Sequence, residues 1–252
     1  MNIPTLVAHR GYMAHYPENT LLGLEAALRA GARLLEFDLQ MTASGEFVLL
    51  HEPSLERTAG RNISMFELSP SELDAVSVHE PRRLGERFAS TPLARFDQVL
   101  ELLARSPGVG ALVEVKGESL EHWGLESVME QLLELLQPFW NRCTLISREL
   151  EALDYARRRG GGPVGLVLHR FDKSHRQQAV DLAPELLICN ERKIGEEELL
   201  WKGNWRWMLY DITEPEKALS WADRGVELIE TRDIGALLKD PRLASKICHH
   251  GL

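Results

Sequence analysis

The sequence predicts an α/β protein, a TIM (β/α)8 barrel with a small insertion after the second strand. Short apolar runs alternate with longer stretches of helical period, and the alternation repeats eight times over the 252 residues. Strict alternation implies parallel strands joined by right-handed crossovers. An open doubly wound sheet is the alternative that the same pattern allows.

The strands are expected at Thr5–Ala8, Leu34–Leu39, Ala111–Val115, Cys143–Ile146, Val164–Leu168, Leu186–Cys189, Arg206–Tyr210 and Leu228–Glu230. Each is a short run rich in branched and apolar residues, and a helix pattern follows each one. The first helix, Leu21–Arg29, is preceded by Asn19-Thr20 and ended by Gly31. Phe96–Arg105 and Leu125–Leu136 have the helical period. Glu149–Arg159 starts after Ser147 and stops at Gly160-Gly161-Gly162. That glycine run follows a helix and precedes a strand, the wrong order for a phosphate loop, so it is a turn. His175–Leu182 and Glu196–Trp201 come next. Glu214–Arg224 has Pro215 in its first turn and Gly225 beyond its end, and Ile234–Lys239 closes the series. Trp205 and Trp207 alternate on a strand and are expected to serve barrel packing.

One region breaks the rhythm. Phe47–Leu50 reads as a hairpin return after Ser44-Gly45, and the stretch from about 52 to 91 carries Pro53, Pro70, Pro81 and a short helix pattern at Ser69–Leu73. We expect an insertion within one domain spanning 1–252, forming a wall of the active site, since loops after strand C-termini build that end of a barrel.

With 38 acidic and 29 basic residues, the formal charge of −9 repels nucleic acid and anionic membranes. Cys143, Cys189 and Cys248 are far apart and odd in number, which argues for buried thiols over disulfides or a zinc cluster. No leader pattern and no bilayer-length apolar run is present, so a cytoplasmic location is expected, with no integral membrane segment. Oligomeric state is not legible.

Side chains two apart on a strand share a face, so Glu36 and Asp38 point together to the barrel axis while Leu35, Phe37 and Leu39 face the helices. Glu114 adds a third inward carboxylate beside Lys116. Neighbouring buried carboxylates repel unless they share a proton or hold a cation, and an all-oxygen set favours Mg²⁺ or Ca²⁺ over zinc. His9 and His51 emerge at the same mouth with Arg10. Such a set of proton carriers and cations is suited to phosphate chemistry.

His9-Arg10-Gly11, Pro17-Glu18-Asn19-Thr20, Glu36-Phe37-Asp38, Val48-Leu49-Leu50-His51 and Glu114-Val115-Lys116, in this order, resemble the signature of the glycerophosphodiester phosphodiesterase family. Weaker similarity runs through Cys143–Ser147, Tyr210–Thr213 and Gly225–Thr231. The resemblance implies a TIM-barrel hydrolase that cleaves glycerophosphodiesters to glycerol 3-phosphate and an alcohol. By matching motif it implies Glu36, Asp38 and Glu114 as divalent-metal ligands and His9 and His51 as an acid/base pair. Arg10 and Lys116 would hold phosphate, with Glu18 and Tyr210 also at the substrate site. For Glu18, a helix-start acid is the competing reading.

Departures from the family pattern are Glu52 for the usual Asp, Arg148 for Phe, Arg232 for Asp, and Tyr210-Asp211-Ile212-Thr213 on the seventh strand. Glu230 is expected in a rim salt bridge with Arg232, with an extra polar group at the mouth as the competing reading. Two other functions compete: a lysophospholipase D whose apolar slot is supplied by Met65, Phe66 and Phe88, and a silent phosphate-binding barrel.

Overall fold

A computed structural model describes residues 2–195 and 197–244. The strands are β1 (Thr5–Ala8), β2 (Leu34–Met41), β3 (Phe47–Leu49), β4 (Gly110–Val115), β5 (Cys143–Ser147), β6 (Val164–Val167), β7 (Leu186–Asn190), β8 (Arg206–Tyr210) and β9 (Leu228–Thr231). They pair in the order β1-β9-β8-β7-β6-β5-β4-β2, and β1 also pairs with β2, so eight parallel strands close into a barrel. Closure excludes the open sheet. β3 runs antiparallel to β2 as the expected hairpin return.

Helices α1 (Leu21–Ala30), α2 (Glu56–Ala59), α3 (Pro70–Asp74), α4 (Pro81–Leu84), α5 (Phe96–Ala104), α6 (Gly117–Trp123) and α7 (Leu125–Leu136) belong to the first half. Helices α8 (Leu150–Arg158), α9 (Lys173–Leu182), α10 (Pro215–Asp223), α11 (Ile234–Leu238) and α12 (Pro241–Ala244) follow. Helix α6 was not expected; it starts at Gly117 without a capping side chain and so carries no local start signal.

The helix expected at Glu196–Trp201 is absent over 197–201, and Glu196 lies outside the described residues. Among the described residues between β7 and β8, the one helical turn is a 3₁₀ turn at Glu191–Lys193. Trp201 explains the difference: its carbonyl accepts a hydrogen bond from Trp207 Nε1 at 3.0 Å, and its ring stacks on Phe171 at 4.2 Å. Those contacts hold the segment against the barrel without a helical ladder. Trp207 itself is buried in the layer between strands and helices.

Three apolar clusters make the core. The largest joins the outward faces of the strands to the helices, with Leu35, Phe37 and Leu39 where the alternation of β2 predicts them. A second, including Val7, Leu34, Leu112, Met208 and Leu228, fills the barrel interior. A third belongs to the insertion, where Leu55, Met65, Leu68 and Val76 pack under Val48 and Leu50. Cys143 and Cys189 are buried, and burial pushes their thiols up to about 12 and about 11, as inert thiols require. Cys248, like His249 and His250, lies outside the described residues. No helix among the described residues is long and apolar enough to cross a membrane.

Candidate active site

Along the barrel strands, inward positions are apolar in the interior and become polar two residues later. Val7, Leu112, Met208 and Leu228 belong to the interior cluster. Their i+2 successors His9, Glu114, Tyr210 and Glu230 line a cavity of about 250 Å³, which also takes in Arg10, His51 and Lys116. The strand period thus delivers the chemistry to one end of the barrel. Glu36 and Asp38 lie buried against this cavity, 2% and 1% exposed, and in the parallel register Asp38 faces Glu114.

The loop after β1 is shaped by close backbone approach. Gly11 has φ +83°, and a Cβ there would stand 2.6 Å from the carbonyl carbon of Gly23 on α1. Glycine is therefore required, and the contact fixes Arg10 (φ 51°) over the barrel. Arg10 N–H then donates to Glu36 Oε2 at 3.0 Å. Asn19, at φ 52°, clamps the second acid: its Nδ2 donates to Asp38 Oδ2 at 2.8 Å, and the Asp38 N–H donates back to Asn19 Oδ1 at 3.1 Å. Thr20 caps α1 through Gly23 N–H at 3.0 Å.

The expected acids divide by their partners. Asp38 has Arg10 Nε at 3.0 Å, without hydrogen-bond alignment, and Lys116 Nζ at 3.3 Å. Burial pushes its carboxyl up, but Arg10 and then Lys116 hold it well below the usual range. Glu114 pairs with Lys116 Nζ at 3.0 Å. Glu36 is left with a backbone donor and His9 Nε2 at 4.0 Å, and its Oε1 has no partner. Burial, then Glu230 and Asp38, push its carboxyl well above the ordinary value.

Glu230 corrects the sequence reading. It makes no ion pair with Arg232; β9 ends at Thr231, so Arg232 leaves the alternation and is exposed. Glu230 instead points inward, 4% exposed, with Oε1 unpartnered. The rule that placed Glu36, two residues beyond an interior leucine, applies equally to Leu228 and Glu230.

The insertion does not line the cavity as expected, since none of 52–91 borders it; Glu52, Arg57 and Glu80 instead brace the mouth by holding His51 and Glu18. His51 Nδ1 lies 2.6 Å from Glu52 Oε2. Arg57 reaches Glu52 Oε1 with Nε at 2.6 Å and grips both oxygens of Glu18 at 2.7 Å. Glu18 also accepts from Arg10 Nη1 at 2.9 Å, and its N–H donates to buried Glu80 at 2.7 Å. Burial raises the Glu18 carboxyl, and the Arg57 and Arg10 contacts outweigh it, leaving it below the ordinary value. Glu18 is thus tied to two arginines, while the α1 start is served by Thr20. The apolar slot is not formed as expected: Met65 is fully buried in the insertion core, Phe66 stacks on His122, Phe88 meets Tyr16, and none lines the cavity.

Ligand atoms of Glu36, Asp38 and Glu114 lie within 4.8 Å of one another. Three hard oxygen donors, with a buried orphan oxygen on Glu36, fit a divalent cation such as Mg²⁺ or Ca²⁺.

Acids, imidazoles and cations gathered at the C-terminal mouth of a (β/α)8 barrel are the arrangement of a barrel enzyme. The chain belongs to the glycerophosphoryl diester phosphodiesterase family, whose sequence model matches residues 9–193. A glycerophosphodiester phosphodiesterase of Bacillus altitudinis is 27% identical over 132 residues, covering 52% of this chain and 53% of that protein. The chain thus aligns with about half the length of such relatives. Among solved structures, an Oleispira antarctica phosphodiesterase in complex with the product sn-glycerol-3-phosphate superposes with a TM-score of 0.81 at 18% identity, over 96% of this chain and 98% of that one. A glycerophosphodiester phosphodiesterase from Agrobacterium tumefaciens gives 0.73 at 20% identity, over 93% and 99%.

Proposed function

We propose that the chain is a divalent-metal-dependent phosphodiesterase that hydrolyses glycerophosphodiesters to glycerol 3-phosphate and an alcohol. One observation carries the reading: His9, Arg10, His51, Glu114 and Lys116 from the ends of β1, β3 and β4 line one cavity, and Glu36 and Asp38 of β2 group with Glu114. The product-bound Oleispira relative supports the substrate class.

A cation held by Glu36, Asp38 and Glu114 would neutralise charge on the phosphoryl oxygens. Arg10 and Lys116 add positive charge at the cavity wall. His9 is the base: burial, then the Arg10 charge, lower its imidazolium to about 4, so at neutral pH it offers a free lone pair. It takes a proton from the attacking water as the new P–O bond forms. His51 is the acid: the Glu52 carboxylate at Nδ1 orients its ring, which gives a proton to the leaving oxygen as the old P–O bond breaks. Tyr210, its ring 6.4 Å from that of His9, borders the substrate. The lysophospholipase D reading loses its apolar slot.

The test is release of glycerol 3-phosphate from glycerophosphocholine and glycerophosphoethanolamine with EDTA, Mg²⁺ or Ca²⁺. Metal-restored turnover that collapses in His51→Ala supports the proposal. A folded protein that releases none under any metal refutes it.

A further inference from the structure

We infer that this chain holds a second divalent-cation site, formed by Glu230, Glu36 and His9, which shares Glu36 with the first. Ligand atoms of these three residues also lie within 4.8 Å of one another. The two sets meet only at Glu36, which makes it the bridging carboxylate.

The Arg10 and Lys116 side chains are committed elsewhere. Arg10 goes to Glu18 and Asp38, and Lys116 to Asp38 and Glu114. Glu36 and Glu230 are left without a salt bridge to lysine or arginine among the described residues, although both are more than nine-tenths buried. Glu36 Oε1, Glu230 Oε1 and His9 Nδ1 have no hydrogen-bond partner. A buried carboxylate with an orphan oxygen is costly unless a proton or a cation completes it. Here two such groups face each other beside an imidazole, and Glu230 opens on the cavity, which gives an ion a way in. Two carboxylates with one nitrogen suit Mn²⁺ better than Ca²⁺, because nitrogen donors favour transition ions.

The inference rests on the function proposed above, and it bears on His9. A cation and a proton compete for the same imidazole lone pair, so loading the second site takes His9 out of proton transfer. The second site is therefore inhibitory.

Calorimetric titration with Mn²⁺, paired with metal counting after desalting, tests it on wild type, Glu230→Gln and Glu114→Gln, each checked by thermal unfolding. Two ions per wild-type chain, one in Glu230→Gln and turnover that falls as the second loads are expected. One ion in wild type and in Glu230→Gln, lost in Glu114→Gln, overturns the second site and leaves the first. No ion in wild type overturns both. Turnover that holds or rises through the second loading overturns the inhibitory role.

Discussion

The Glu52 carboxylate lies 2.6 Å from Nδ1 of its own neighbour His51, while Arg57 holds the other Glu52 oxygen at 2.6 Å. Burial raises the Glu52 carboxyl, yet the His51 and Arg57 contacts win and hold it at about 2. It stays an anion across the working range and fixes the ring so that Nε2 is free for the substrate. Loss of the proposed general acid in His51→Ala is expected to lower kcat on the order of 10²–10⁴-fold. Glu52→Gln should give a smaller loss in kcat with little change in KM, since it orients the acid and does not touch substrate. Steady-state kinetics on both variants decide it; a Glu52→Gln enzyme as active as wild type would sink the pairing.

As the proposed base, His9 is expected to set the acid limb. Its burial lowers the imidazolium from the ordinary 6.5 to about 4. A base works unprotonated, so kcat/KM is expected to fall as pH drops through about 4, with no inflection near 6.5 from this group. The pH profile of kcat/KM measures it, and a limb that tracks an ordinary histidine contradicts the burial account.

Strand alternation made most of this site legible. Leu35, Phe37 and Leu39 packing outward fixed Glu36 and Asp38 inward, and the structure obeys that period on β2. Glu230 obeys it too, two residues beyond Leu228, but the neighbouring Arg232 offered a simpler partner in the linear sequence. Where β9 stops, at Thr231, alternation stops, and only the three-dimensional end of the strand shows this. Arg57 and Glu80 were out of reach for another reason. They meet Glu18 across |i−j| of 39 and 62 residues, and no local period encodes such pairs. The fold of the segment after β7 was hidden because Trp201 acts through a tertiary stack on Phe171, which overrides helical propensity.

Arg57 latches the insertion to the mouth. Glu18 is buried at 3% exposure, and Arg57 holds both of its oxygens, but Arg57 itself is 43% exposed, so solvent screens the pair. Breaking a fully buried pair costs about 3–5 kcal/mol; with this screening and with Arg10 still bound to Glu18, Arg57→Ala is expected to lose about 1–2 kcal/mol. Urea unfolding measures the loss. Limited proteolysis of 52–91 should quicken in the variant, and unchanged cleavage would show that other contacts hold the insertion.

Glu36 and Glu230 make the metal-free protein sensitive to alkali. Burial first, then neighbouring carboxylates, raise both well above the ordinary 4.5. A group raised on folding binds more protons folded than unfolded, so its stabilisation is complete below 4.5 and is lost as pH rises through the folded value. Opposing groups finish earlier. Asp38 and Glu18 are lowered, and their linkage lies below the ordinary carboxylate range. The His9 window runs from about 4 to 6.5 and closes there. Above the His9 window the carboxyl pair therefore governs the slope, and the Tm of chelated protein is expected to fall as pH rises through the folded values. A bound cation replaces the proton, so saturating Mn²⁺ should flatten the curve and raise Tm most at the alkaline end. Glu230→Gln removes one of the two charges and should flatten the chelated curve without metal. Differential scanning calorimetry across this range is the check, and a level Tm in chelated wild type would mean that the two carboxyls are not strained by burial.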